Sequence, residues 1–245
     1  MWEMELKSMA IVLQAIKYGE SQLIVDLFTE KLGALSFIVR IPKSKKAKIK
    51  RQYFQPFVIL NVEFDYRANV SLQKLRDVSI AIPFLHLPFA PYKYTVSMFL
   101  SEVLAYALKN EQQNEALFSF LFSSIVWLDQ STSNCANFHI VFLLRLSSYL
   151  GIAPNMESGV LGDFFDLEAG RFVECVPSHR YYLDRENSLH LISLMRLSYD
   201  TMHLYTMSHL NRDRCIEVIL EYYKLHIPNF PDVKSLVVLK ELFAK

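Results

Sequence analysis

Seven cations crowd twelve residues: Arg40, Lys43, Lys45, Lys46, Lys48, Lys50 and Arg51, with no acid among them. Ammonium and guanidinium groups at that density do no bond chemistry. They neutralise a polyanion, and a phosphate backbone is the ligand that uses such a run most fully. Apart from Ile41, Ala47 and Ile49 the segment has nothing to bury, and Pro42 interrupts regular pairing. It therefore reads as a solvated loop or a short helical connection between two strands. A basic loop without a ligand, or a nuclear-localisation tract, would show the same run. Aromatic rings beside it could stack bases, and Tyr18, Phe37, Tyr53, Phe54 and Tyr66 are the candidates. Alternation along strands sends about half of such rings into a core. Tyr53 ranks first, because it directly follows Lys50, Arg51 and Gln52.

Groups that could perform catalysis are sparse. Asp163, Asp166 and Glu168 could ligate a divalent ion and serve a nucleic-acid-processing enzyme, but their spacing matches no complete calcium loop. Cys175, His179 and His190 are at most three zinc ligands, where zinc takes four in paired spacings. His139 and His203 fall in apolar helical patterns and read as core or boundary residues. No Gly-x-Ser-x-Gly elbow occurs. The residues propose no active site, so the chain is expected to act without catalysis, metal or cofactor.

Composition narrows the class. Of the 245 residues 52% are apolar and 21% charged, which excludes an intrinsically disordered chain. With only 6 Gly, and no phosphate-binding glycine loop, a nucleotide-binding fold is disfavoured. Cys135, Cys175 and Cys215 form no Cys-x-x-Cys pair, which suits a reducing cytosol. Glu3 and Glu5 stand where a signal peptide would be basic, and the apolar run at 140–150 is broken by Arg145 and too short for a bilayer. A cytoplasmic protein without membrane association is expected. The net charge of +1 hides an asymmetry: residues 1–80 carry 13 basic and 8 acidic side chains, residues 81–245 carry 13 and 17. The first part is the one built to meet a polyanion.

The elements that must position the basic run are strands. Runs at 10–18 and 21–28 flank a Gly19-Glu20 turn, and a second turn at 30–33 leads into 34–40. After the basic run come 54–65, with Val58, Leu60, Val62 and Phe64 alternating against Ile59, Asn61 and Glu63, and then 70–78. Five short strands without a helix predict an OB-like β-barrel over 1–80, a fold whose commonest ligand is nucleic acid. Residues 81–245 predict an α-helical domain, with helices at 91–109, 115–128, 135–150, 189–207, 212–226 and 233–243. Gly159, Gly162, Gly170 and Pro177 mark an irregular excursion near 155–185. The class is α+β and multidomain.

Several segments together resemble the RecO family of bacterial recombination mediators: AIVLQAIKYGESQLIVDLFT at 10–29, LGALS at 32–36, QPF at 55–57, FLLRLSSYLGIAP at 142–154, YYKLH at 222–226 and KSL at 234–236. They occur in the family's order and cover nearly the whole chain. The resemblance implies an N-terminal OB-fold, a helical domain, and a non-enzymatic activity in DNA repair. That activity is binding single- and double-stranded DNA, annealing complementary strands and, with RecR, helping to load RecA onto strands coated by single-stranded-DNA-binding protein (SSB). It also places the family's DNA-contacting surface on the cluster from Arg40 to Arg51, and an SSB-tail site on the helical domain, with Arg145, Arg196 and Arg212 as candidates. Some members carry a four-cysteine zinc module after the Leu-Gly-x-x-Pro segment. Here residues 155–182 hold Cys175 alone, so no zinc is expected.

Overall fold

The structure is a computed structural model and describes residues 4–42, 44, 48–132, 135–156 and 163–243. Its contacts divide the chain into two compact units, Met1–Gln130 with Val233–Leu242, and Ser131–Asp232 with Phe243–Lys245.

The first unit contains the expected barrel. Strands β1 (Met4–Tyr18), β2 (Gln22–Thr29), β3 (Gly33–Arg40), β4 (Ile59–Tyr66) and β5 (Leu72–Ile80) close in the order β1-β2-β3-β5-β4. All pairings are antiparallel except β3 with β5, the parallel seam that closes the ring. Its interior holds Val12, Val25, Phe37, Leu60, Val62 and Phe64, with Phe37 and Phe64 edge to face at 5.0 Å between centroids. Gly19, at φ 64°, makes the tight turn between β1 and β2.

β1 is the longest strand because its two neighbours pair with it mostly over different stretches. Met4–Ile11 pair with β4 and Ala10–Tyr18 with β2, and the register slips by one residue between Val12 and Gln14. Leu13 is the extra residue of this β-bulge, and its carbonyl accepts a hydrogen bond from the Ser101 hydroxyl of helix α1 (Pro91–Ala107).

The run 54–65 expected as one strand is not continuous. Arg51–Phe54 form a single 3-10 turn, Phe57 sits at φ 68°, and pairing begins only at Ile59. Pro56 has no N–H for a ladder, and the Val58 N–H bonds back to the Gln55 carbonyl at 3.2 Å.

Three helices complete this unit: α1, α2 (Glu115–Gln130) and α6 (Ser235–Phe243). Each is fastened by a specific polar contact. The Asp129 carboxylate of α2 accepts the N–H groups of Leu85, His86 and Leu87 at 3.1, 2.9 and 2.7 Å, which fixes the uncharged segment before α1. Burial alone would raise that carboxyl, but the three N–H donors and Lys93 outweigh it and lower its pKa. Glu102 of α1 caps α6 by accepting the N–H groups of Lys234 and Ser235, both at 2.9 Å. The connection after α1 docks on the start of β3, where the Ala34 N–H meets the Glu111 carbonyl at 2.9 Å. Gly33 permits this approach: its φ is 75°, and a Cβ there would stand 2.3 Å from that same carbonyl oxygen.

The second unit surrounds α3 (Phe138–Tyr149), most of whose side chains are buried. Strands β6 (Phe164–Asp166), β7 (Arg171–Val173) and β8 (Tyr182–Leu183) form a small sheet in the order β7-β6-β8, followed by α4 (Arg185–Met195) and α5 (His209–His226). The helix expected over 189–207 is divided. Asp184 caps α4 earlier, accepting the Asn187 N–H at 2.9 Å, and Ser198 and Thr201 then bond each other's backbone instead of continuing the helix. A 3-10 turn at Met202–Leu204 follows. The Tyr223 hydroxyl of α5 donates to the Leu143 carbonyl at 2.8 Å, tying α5 to α3. His139 lies inside this core, where burial, with the charge of Arg212, lowers its pKa to about 3 and keeps it neutral.

Two stability predictions follow from the first unit. Gly33→Ala must both hold a left-handed φ and push the Glu111–Gln112 backbone away, so urea unfolding should show a loss of about 2 kcal/mol or more. A loss below about 0.5 kcal/mol would contradict the close approach. The Asp129 carboxyl is more acidic folded than unfolded, so its contribution is present above its unfolded pKa of about 4 and fades as pH falls below it. Asp129→Asn should therefore cost stability near neutral pH and less at about pH 3, and an equal cost at both would contradict the assignment.

Candidate nucleic-acid interface

The basic segment joins β3 to β4 across one end of the barrel, and the described parts of it are held by apolar anchors. Ile41, Ile49 and Tyr53 are partly buried against the barrel core, and Phe54 lies inside it. At the entry, the Ile41 N–H donates to the Ser21 carbonyl at 2.7 Å, tying the segment to the β1–β2 turn. With these groups turned inward, Arg40, Lys48, Lys50 and Arg51 are left exposed. None of these four enters an ion pair among the described residues. Lys43, Lys45 and Lys46 lie outside the described residues. Tyr53 is half-buried in the 3-10 turn, with its side chain on the core.

Four exposed cations without ion pairs among the described residues have the chemistry an anion would need, since each could exchange water and a salt ion for a phosphate oxygen. Elsewhere on the barrel some cations are paired, Lys7 with Glu63 at 2.6 Å, and Arg76 with Asp65 at 2.6 Å and Glu5 at 3.5 Å, while Lys17, Lys31 and Lys74 are exposed without an ion pair among the described residues. The unpaired positive charge is densest in the segment from Arg40 to Arg51.

Of the residues weighed for catalysis or a metal, only some are brought together. Asp166 closes a turn, its Oδ1 accepting the N–H groups of Glu168 and Ala169 at 2.9 and 3.0 Å. His179 Nε2 lies 3.4 Å from Asp166 and 3.5 Å from Glu168, whereas His190 bonds the Tyr205 hydroxyl, and Cys175 is exposed apart from both. Among the described residues no group of three or more His, Cys, Asp or Glu side chains is arranged to hold a metal ion.

In the second unit the three arginines considered for a peptide site have different fates. Arg212 is buried, its Nε donating to Asn137 Oδ1 and its Nη2 to the Met207 carbonyl, both at 3.1 Å. Arg145 bonds the Leu197 carbonyl at 3.4 Å and stands over the Tyr199 ring. Arg196 is exposed at the end of α4. A cavity of about 370 Å³ opens instead between α4 and α5, with Leu144, Leu191, Leu194, Val218 and Ile219 as walls and Arg214 among its lining. Sequence reasoning missed Arg214. The signal was present, since Arg214 precedes Val218 by four residues and so shares its helix face.

No helix of the described residues is long and apolar enough to cross a membrane. The family model described as Recombination protein O N terminal matches residues 4–84, which enclose the barrel, and that described as Recombination protein O C terminal matches residues 89–236. The chain is 43% identical over 238 residues to the DNA repair protein RecO of Bacteroides fragilis, covering 97% of this chain and 98% of that one. It is 43% identical to that of Phocaeicola vulgatus, over 97% and 99% of the two chains. With that of Flavobacterium psychrophilum it shares 36% over 98% and 100%. From barrel to C-terminal helix, this chain is a member of the RecO family of DNA repair proteins.

Proposed function

We propose that the chain is a recombination mediator that binds single- and double-stranded DNA through Arg40, Lys43, Lys45, Lys46, Lys48, Lys50 and Arg51, with Tyr53 holding the segment to the barrel. The observation that carries this reading is the set of exposed, unpaired cations at the mouth of a closed five-stranded barrel. Contacts of this kind read phosphates and not base sequence, as a repair protein acting on any lesion requires. Annealing follows from the same charge: two complementary strands repel each other until cations lying between them lower the repulsion, after which base pairing proceeds without bond chemistry. Family membership supports the further steps, in which the protein works with RecR in the bacterial cytoplasm, at the nucleoid, and helps RecA replace SSB on single strands.

The cavity beside Arg214 is the place we assign to the tail of SSB. Its apolar walls suit an apolar chain end, and a guanidinium in its lining suits the acidic groups beside that end.

If four to six cations touch phosphates, single-strand affinity measured by fluorescence anisotropy should fall with a log–log salt slope of roughly −3 to −4. Replacing Lys43, Lys45, Lys46 and Lys48 by alanine should flatten that slope, and a slope near zero in the unaltered protein would overturn the reading. Labelled complementary strands should anneal without shortening, with or without magnesium. An acidic peptide with an apolar C-terminal residue should bind about tenfold more weakly to Arg214→Ala, and unchanged binding would place the tail elsewhere.

A further inference from the structure

The cavity between α4 and α5 is apolar in its walls but not balanced in its charges. Its lining holds one guanidinium, Arg214, and two carboxylates, Asp184 and Glu186, together with the titratable groups of His190, Tyr205 and Cys215. The other elements packed around it, α3 and β8, contribute only Leu144 and Leu183. Arg214 enters no ion pair among the described residues, so neither carboxylate has claimed it.

Asp184 is held in place by a structural duty. As the N-cap of α4 its Oδ1 accepts two bonds from Asn187, from the backbone N–H at 2.9 Å and from the side-chain amide at 2.7 Å. These donors hold the carboxyl below its ordinary pKa against slight burial, with smaller help from the charges of Arg214 and His190. The group is therefore ionised at neutral pH, fixed by the cap and within electrostatic reach of Arg214.

An anionic ligand in this cavity meets both signs. Its carboxylate gains by approaching Arg214 and loses by approaching Asp184, with the same dependence on distance. The ligand cannot push Asp184 aside without uncapping α4. One acidic group can settle beside Arg214, but each further one meets Asp184 and Glu186 with no second Arg or Lys in the lining.

We propose that Asp184, with Glu186, is a built-in brake on the cavity, a helix-capping carboxylate that competes with an acidic ligand for the field of Arg214 and so limits affinity for acidic chain ends. This rests on the assignment of the cavity to an acidic tail and adds the residues that set the strength of that contact. A hold weakened in this way lets the tail be released as readily as it is taken.

The test removes the charge and keeps the cap. In Asp184→Asn the side-chain oxygen still accepts the Asn187 N–H, and Asn caps helices as well as Asp does, so circular dichroism should show an unchanged fold. Glu186→Gln removes the second carboxylate without touching the cap. The probe is a fluorescein-labelled peptide of three aspartates, two leucines and a C-terminal phenylalanine, titrated into the full chain and each variant. At low salt Asp184→Asn should bind it about 2- to 5-fold more tightly than the unaltered protein, and Glu186→Gln should shift affinity the same way. At about 0.5 M salt, where the screening length falls to roughly 4 Å, the gain should vanish. Unchanged or weaker binding by both variants, or a gain that persists at high salt, would overturn the brake while leaving the tail in the cavity. An unaltered protein that fails to hold the peptide, or unchanged binding by Arg214→Ala, would overturn both.

Discussion

In a closed five-stranded barrel every strand pairs along both edges; β1 does so largely in succession, and it bends at Leu13 where one partner gives way to the other. β4 takes Met4–Ile11, β2 takes Ala10–Tyr18, and the pleat is broken just past their overlap. The extra residue leaves the Leu13 carbonyl outside the ladder, where burial without a donor would cost about 1–3 kcal/mol. Ser101 supplies that donor, so the bend is satisfied from α1. The bulge thus sets both the facing of side chains along the second half of β1 and its tie to α1.

Polar ties of the same kind hold the rest of the first unit. Asp129 gathers three N–H groups of the segment leading into α1, and Glu102 caps α6 across more than a hundred residues of sequence. Each places a carboxylate where backbone donors would otherwise lack acceptors, which is worth more than an exposed ion pair of equal charge. The described cations of the basic segment, in contrast, enter no ion pair among the described residues. Lys48, Lys50 and Arg51 stay in water, while Ile41, Ile49 and Tyr53 secure the chain beneath them. Apolar anchors and unpaired cations thus fall on different residues of one segment, the arrangement on which the proposed binding rests.

Much of this was legible in the sequence. The alternation of Leu60, Val62 and Phe64 located β4, the Gly19 turn located the β1–β2 hairpin, and the concentration of charge between Arg40 and Arg51 located the candidate interface. What escaped were features that depend on distant partners. Simple alternation from Val12 would have placed Tyr18 on the core face, because nothing local marks Leu13 as an extra residue; its carbonyl is satisfied by a serine 88 residues away. Ser198 and Thr201 ended a helix that apolar spacing alone would have continued, and Pro56 delayed the start of β4. Tyr53 drew attention by its adjacency to Arg51, yet adjacency does not fix orientation within a 3-10 turn, and the side chain lies on the barrel core.

The central proposal is that DNA is held on the barrel by the basic segment. Amide hydrogen exchange of the full chain, with and without an oligothymidine at saturating concentration, tests this most directly. Slowed exchange should concentrate at residues 38–53, with α3 and α5 unchanged. Protection confined to the second unit, with the barrel end unaffected, would contradict the account.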